Sequence, residues 1–168
     1  MSFISDETGR MRTYFKGRID RWELTLGAEN GNFEAYFKDD PNRWTYNIGN
    51  LNGEIETYFS KQYSRWEIRC TGKTYNFQTW ISGSWERWEL TGPDIQGTTS
   101  IETVFRNKHN RWELRSKTAI VNIETYFADS WEDWEITGQT SKLCDGEKTV
   151  AFFIPVLVSR ILNKGLNH

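Results

Sequence analysis

Two histidines and two cysteines are the side chains best suited to catalysis or metal binding in this 168-residue chain, and their spacing assembles neither. His109 falls among turn residues and His168 is terminal, without the closely spaced partners that a metal site needs. Cys70 and Cys144 fit no metal motif and make no disulfide framework, so they read as free thiols in a reducing compartment. No glycine-rich phosphate loop, nucleophile elbow or histidine-containing triad occurs. The chain therefore reads as no enzyme, with no catalytic residue, no cofactor and no metal.

Anion binding is the chemistry the charges do suggest. Six turn-like stretches recur along the chain. The first, third and fifth are basic, with Lys16, Arg18 and Arg21, then Lys61 and Arg65, then Arg106, Lys108, His109 and Arg111. The second and fourth balance, and the sixth is acidic, with Asp129, Glu132 and Asp133. Lys16, Arg18, Lys61, Arg106, Lys108 and His109 form a candidate anion-binding rim, suited to lipid head groups. The plainer reading is ordinary solvation of turns. Glutamates recur once or twice per repeat, which fits a salt-bridged surface better than catalytic carboxylates.

The elements that place these residues are written in a repeat. Trp22, Trp44, Trp66, Trp88, Trp112 and Trp134 are spaced by 22, 22, 22, 24 and 22 residues. Eleven residues before each stands Met11, Phe33, Ile55, Phe77, Ile101 or Ile123. Seven before stands Phe15, Phe37, Phe59, Ile81, Phe105 or Phe127. Two after stands Leu24, Tyr46, Ile68, Leu90, Leu114 or Ile136. Within a copy the pattern has period two: Ile55, Thr57 and Phe59 share one face, Glu56 and Tyr58 the other. The six register tryptophans are expected in the core. Trp85 and Trp131 lie outside the register, in turns, and are expected to be exposed.

Each copy is thus a β-hairpin, and residues 10–138 hold twelve antiparallel strands in an up-and-down meander. An open sheet of twelve would leave two bare edges, and closure removes them. Strands about 4.8 Å apart and tilted about 40° give a backbone radius of roughly 12 Å, leaving a hole of about 10 Å inside the side chains. That is about the width of one helix.

The tail supplies one. Residues 139–148 read as a polar linker and 149–164 as a central helix, with Val150–Leu162 almost wholly apolar. Asp145 is a candidate cap for a start near Gly146 or Glu147. Pro155 leaves a choice between a kinked long helix, the favoured reading, and one beginning near Ile154. Arg160 is placed to reach out of the mouth, and Asn163-Lys164-Gly165 is a candidate stop. Residues 1–9 are a lead-in with no signal-peptide pattern.

Charge order points to closure as well. The residue before each tryptophan is Arg21, Arg43, Arg65, Arg87, Arg111 and then Asp133. The residue ten before is Arg12 and then Glu34, Glu56, Gln78, Glu102 and Glu124. In a meander each arginine neighbours the acid or amide of the next copy. Only in a closed ring does the reversed Asp133 meet the reversed Arg12.

A closed twelve-stranded antiparallel barrel threaded by a C-terminal apolar helix resembles the tubby-like superfold, which groups tubby with phospholipid scramblases and LURP-one-related proteins. The resemblance rests on the six hairpins of residues 10–138 and the acidic-then-apolar segment Asp145–Leu162. It implies a non-enzymatic binding or scaffold module, with anionic lipid head groups or a protein as partner. Tubby uses basic residues of its barrel for phosphoinositides; none of those positions is carried onto this chain. The expected form is a cytoplasmic monomer, peripheral at a membrane. No transmembrane span is expected, and a net charge of -2 gives no field for nucleic acid. A second class is an open array of hairpins whose exposed tryptophans stack on glycans or cell-wall polymers. A tail-anchored protein is a third, though Val150–Leu162 is short for a span and holds Pro155.

Overall fold

The computed structural model of the chain describes residues 6–106, 108–127 and 130–162. Period-two alternation gives twelve strands: β1 (Gly9–Thr13), β2 (Arg21–Leu26), β3 (Glu29–Phe37), β4 (Asp40–Ile48), β5 (Leu51–Thr57), β6 (Arg65–Cys70), β7 (Lys73–Thr79), β8 (Arg87–Thr91), β9 (Thr99–Thr103), β10 (Arg111–Arg115), β11 (Ile120–Thr125) and β12 (Asp133–Gly138). Each pairs antiparallel with its chain neighbours, and β1 pairs with β12, so the sheet is a closed barrel in sequence order. The expected neighbours share registers: Arg21 with Glu34, Arg43 with Glu56, Arg65 with Gln78, Arg87 with Glu102, Arg111 with Glu124 and, at the seam, Arg12 with Asp133.

The side chains refine that picture, because long side chains reach diagonally. Asp133 bonds to Arg10, not to Arg12, which turns to Glu23. Arg43 takes Glu54 in place of Glu56, and Arg69 gathers Glu54, Glu56 and Glu67. That threefold acidic company holds the Arg69 guanidinium firmly protonated, its pKa raised chiefly by the bond to Glu56.

Inward positions are filled to the centre. All six register tryptophans are fully buried, as are Met11, Phe33, Ile55, Phe77, Ile101 and Ile123. They surround α1 (Asp145–Leu157), which continues as a π-helical turn over Val158–Leu162. Phe153 is the hub, with ring centroids 5.0 Å from Trp66, 6.4 Å from Phe33 and 6.5 Å from Phe77.

The helix differs from expectation at its start. It begins at Asp145, four residues before 149, and its N-cap is Cys144 rather than Asp145. The Glu147 carboxylate turns back to accept the Cys144 backbone N–H at 3.0 Å and the Thr99 hydroxyl at 2.6 Å. This capping box lets the helix start inside the stretch read as linker, where Thr140–Lys142 forms a single 3-10 turn. The helix runs through Pro155, which removes one backbone donor, and widens to the π turn three residues later. The proposed stop at 163–165 lies outside the described residues.

Two tyrosines seat the helix. The Tyr46 hydroxyl meets that of Thr149 at 2.7 Å. The ring of Tyr75 fills the space left by two glycines: a Cβ on Gly146 would lie 2.5 Å from it and one on Gly92 2.1 Å. Thr71 bonds to Asp145 at one end of α1, and the Ser159 hydroxyl donates to the Trp131 carbonyl at the other. The helix therefore enters where copies are linked and ends at the mouth where the hairpins turn.

Candidate functional site

The hairpin-turn mouth is built the same way six times. Each tryptophan indole N–H donates to the backbone carbonyl three residues earlier: Trp22 to Ile19, Trp44 to Pro41, Trp66 to Tyr63, Trp88 to Trp85, Trp112 to His109 and Trp134 to Trp131, at 2.7 to 2.9 Å. A buried indole needs such an acceptor, and this bond ties each turn down over the wall. Trp85 and Trp131 therefore belong to the repeat. They are half-buried and packed on the core, Trp85 against Trp88 and Trp131 against Trp134, not exposed as expected from their turn positions.

The apolar residues seven positions before each register tryptophan depart from the expected inward face. Phe15, Phe37, Phe59, Ile81, Phe105 and Phe127 are 53% to 67% exposed. Ile19, Tyr63, Trp85 and Trp131 already pack over the core at this end, so no inward space is left. Except for Phe37, which ends β3, these residues stand beyond their strands. The first residue of each pair, Tyr14, Tyr36, Tyr58, Trp80, Val104 or Tyr126, is exposed too. Twelve apolar side chains thus ring the mouth.

Arginines brace them. In the first four hairpins the guanidinium before the register tryptophan lies over the aromatic of its own hairpin: Arg21 over Tyr14, Arg43 over Tyr36, Arg65 over Tyr58 and Arg87 over Trp80, at 3.9 to 4.4 Å. Val104 offers no ring, and Arg111 lies at 5.8 Å from Phe105 instead. The rim candidates Lys16, Arg18, Lys61, Arg106 and Lys108 are exposed in the same turns, Arg18 beside Asp20. His109 behaves otherwise. It is half-buried against Trp112, and burial lowers its pKa, so its ring sits neutral at pH 7. Asp129 lies outside the described residues.

The turn residues 16–21, 38–43, 60–65, 82–87, 106–111 and 128–133 hold eleven Lys or Arg against seven Asp or Glu, on a chain of net charge -2. The mouth is thus a positively charged end of an otherwise acidic molecule.

Elsewhere the surface offers less. Outward positions of the mid-strands are Arg, Glu, Thr and Asn, the inverse of the apolar band that a membrane-spanning barrel turns to lipid. Among the described residues no helix is long and apolar enough to cross a membrane, and no group of three or more His, Cys, Asp or Glu is placed to hold a metal. Both thiols are free. Burial pushes the Cys144 thiol up to about 12, so it is no thiolate at neutral pH. Because the barrel is closed and its register tryptophans are buried, an open array with those tryptophans as stacking platforms is not what this chain forms.

Comparison with known proteins leaves the chain by itself. It matches no family model, no curated protein and no solved structure. Its site is therefore read from its own geometry.

Proposed function

We propose that this protein is a non-enzymatic binding module of tubby-like plan that seats its hairpin-turn mouth on anionic lipid surfaces. The observation that carries this is the ring of twelve exposed apolar side chains at one end, set among basic turns. Tyrosine and tryptophan favour the boundary between water and acyl chain, where an apolar ring and a polar tip are both satisfied, and phenylalanine adds apolar area beside them. Half-exposed rings of this size leave about 1,000 Å² of apolar surface on one face, against roughly 300–600 Å² for the largest patch of a typical monomer. The excess of four positive charges in the same turns adds the attraction to acidic head groups, roughly 1 kcal/mol for each cation near the surface.

Flotation with vesicles of phosphatidylcholine alone, and of phosphatidylcholine with phosphatidylserine, tests the reading. The protein should rise with the anionic vesicles, and less so as salt is raised. Failure to bind either kind would remove the reading. Trp80 gives an independent signal. It is 52% exposed among tryptophans otherwise buried or half-buried, so its emission should shift to the blue on docking.

A further inference from the structure

The six turns are not alike, and their differences have a direction. Strand order places the hairpins around the ring in chain sequence, so the third lies opposite the sixth. The third turn holds Lys61 and Arg65 and no acid, whereas the sixth carries by sequence Asp129, Glu132 and Asp133, of which Asp133 alone, among the described residues, has a cation, Arg10 of β1. The basic first and fifth turns flank the sixth on either side. The charge moment of the mouth consequently points at the third hairpin.

Arg65 is the one repeated arginine that faces no acid across its register. Its register partner is Gln78, where Arg43, Arg87 and Arg111 each face a glutamate. Arg43 holds Glu54 at 3.0 Å and Arg111 lies 3.6 Å from Glu124, whereas Arg65, like Arg21 and Arg87, makes no ion pair among the described residues. Its guanidinium stacks on Tyr58 at 3.9 Å, and that ring meets the exposed Phe59 edge-on at 4.9 Å.

We infer that the protein docks tilted, with the third hairpin leading. Phe59 and Tyr58 enter the lipid interface, Arg65 and Lys61 meet the head-group phosphates, and the acidic sixth hairpin stands off. This rests on the lipid-surface reading above and adds an orientation to it. Screening is what makes the two sides independent. The Debye length is about 10 Å at 0.1 M salt, while a mouth of about 12 Å radius is roughly 24 Å across. Each side therefore responds to its own charges. A cation at an anionic surface strengthens binding about fivefold, and an acid in its place weakens it.

The matched pair Phe59 and Phe127 tests this, because both occupy the same repeat position and both are exposed, at 54% and 67%. Area alone favours Phe127; charge favours Phe59. Binding of Phe59→Ser and Phe127→Ser to phosphatidylserine-containing vesicles should fall about tenfold for the first and less than twofold for the second. Arg65→Gln should lose about fivefold. Equal losses at Phe59 and Phe127, or a larger loss at Phe127, would overturn the tilt while leaving membrane docking intact. A wild-type protein that ignores the vesicles would instead remove the underlying reading. Displacement from vesicles by inorganic phosphate at matched ionic strength would assign the site to a free anion and overturn the lipid assignment.

Discussion

The Arg10 guanidinium and the Asp133 carboxylate meet across the seam of the barrel through two bonds, Nε to Oδ1 at 3.0 Å and Nη2 to Oδ2 at 2.8 Å. Asp133 stands where the other hairpins have arginine, which leaves Tyr126 without a cation from its own copy. Arg10 lies over that ring at 4.4 Å, so one side chain from β1 completes the sixth hairpin twice over. Arg10→Gln should lower unfolding stability by about 1 kcal/mol, the figure kept small because both groups are partly exposed. Arg12→Gln, at the more exposed 3.3 Å contact with Glu23, should cost less. Urea denaturation of the two variants reads the difference, and equal losses would count against a privileged seam pair.

Gly146 illustrates packing overriding helix propensity. Alanine is the better helix former by about 1 kcal/mol. Yet its Cβ would sit 2.5 Å from the Tyr75 ring, which is itself fully buried. Gly146→Ala should therefore destabilise the barrel by about 1–3 kcal/mol, measured by denaturant unfolding. An unchanged midpoint would mean that Tyr75 has room to move.

The left-handed position of the third turn separates stability from binding. Gly17, Asp39, Lys61 and Gly83 occupy the same place, five before the tryptophan, with φ of 81°, 66°, 65° and 84°. Lysine is the least suited of the four to that conformation. Its backbone N–H to Asn42 Oδ1 survives substitution. Lys61→Gly should gain up to about 1 kcal/mol in denaturation experiments, yet bind anionic vesicles about fivefold less well. A variant that gains stability and keeps full binding would take Lys61 out of the docking face.

His109 should make the fold sensitive to mild acid. Burial holds its pKa below the ordinary 6.5, so the unfolded chain binds the proton first. Stability from this group is present above about pH 6.5 and falls as the pH drops through that value. The third hairpin places Tyr63 at the equivalent position, so His109→Tyr should keep the packing and lose this part of the slope. Thermal unfolding of both proteins between pH 7.5 and 5 compares them; parallel curves would show that His109 titrates as it does in water.

The barrel, its closure and its central rod were readable because one pattern is written six times, so chance residues in single copies average out. Alternation failed at Phe59 for a physical reason: it counts parity along a strand, and the chain has left the wall by then. The position that closes the mouth holds Ile19, Pro41, Tyr63, Trp85, His109 and Trp131. It shows no consensus because what it supplies to the indole is a backbone carbonyl, which any residue carries. The aromatic face of the site was hidden by that same parity, and only its charges were visible beforehand. The cap eludes a sequence reading because Cys144 is an unusual one, and the bond that fixes it comes from Glu147.

Residues 145–162 follow all twelve strands in chain order. A ribosome therefore releases the whole wall before the rod that fills it. Until then the hairpins have no dry interior, and their six indole side chains face water or one another. Final assembly waits for the rod to emerge, and a nascent chain of this protein is a natural client for holding chaperones throughout that interval.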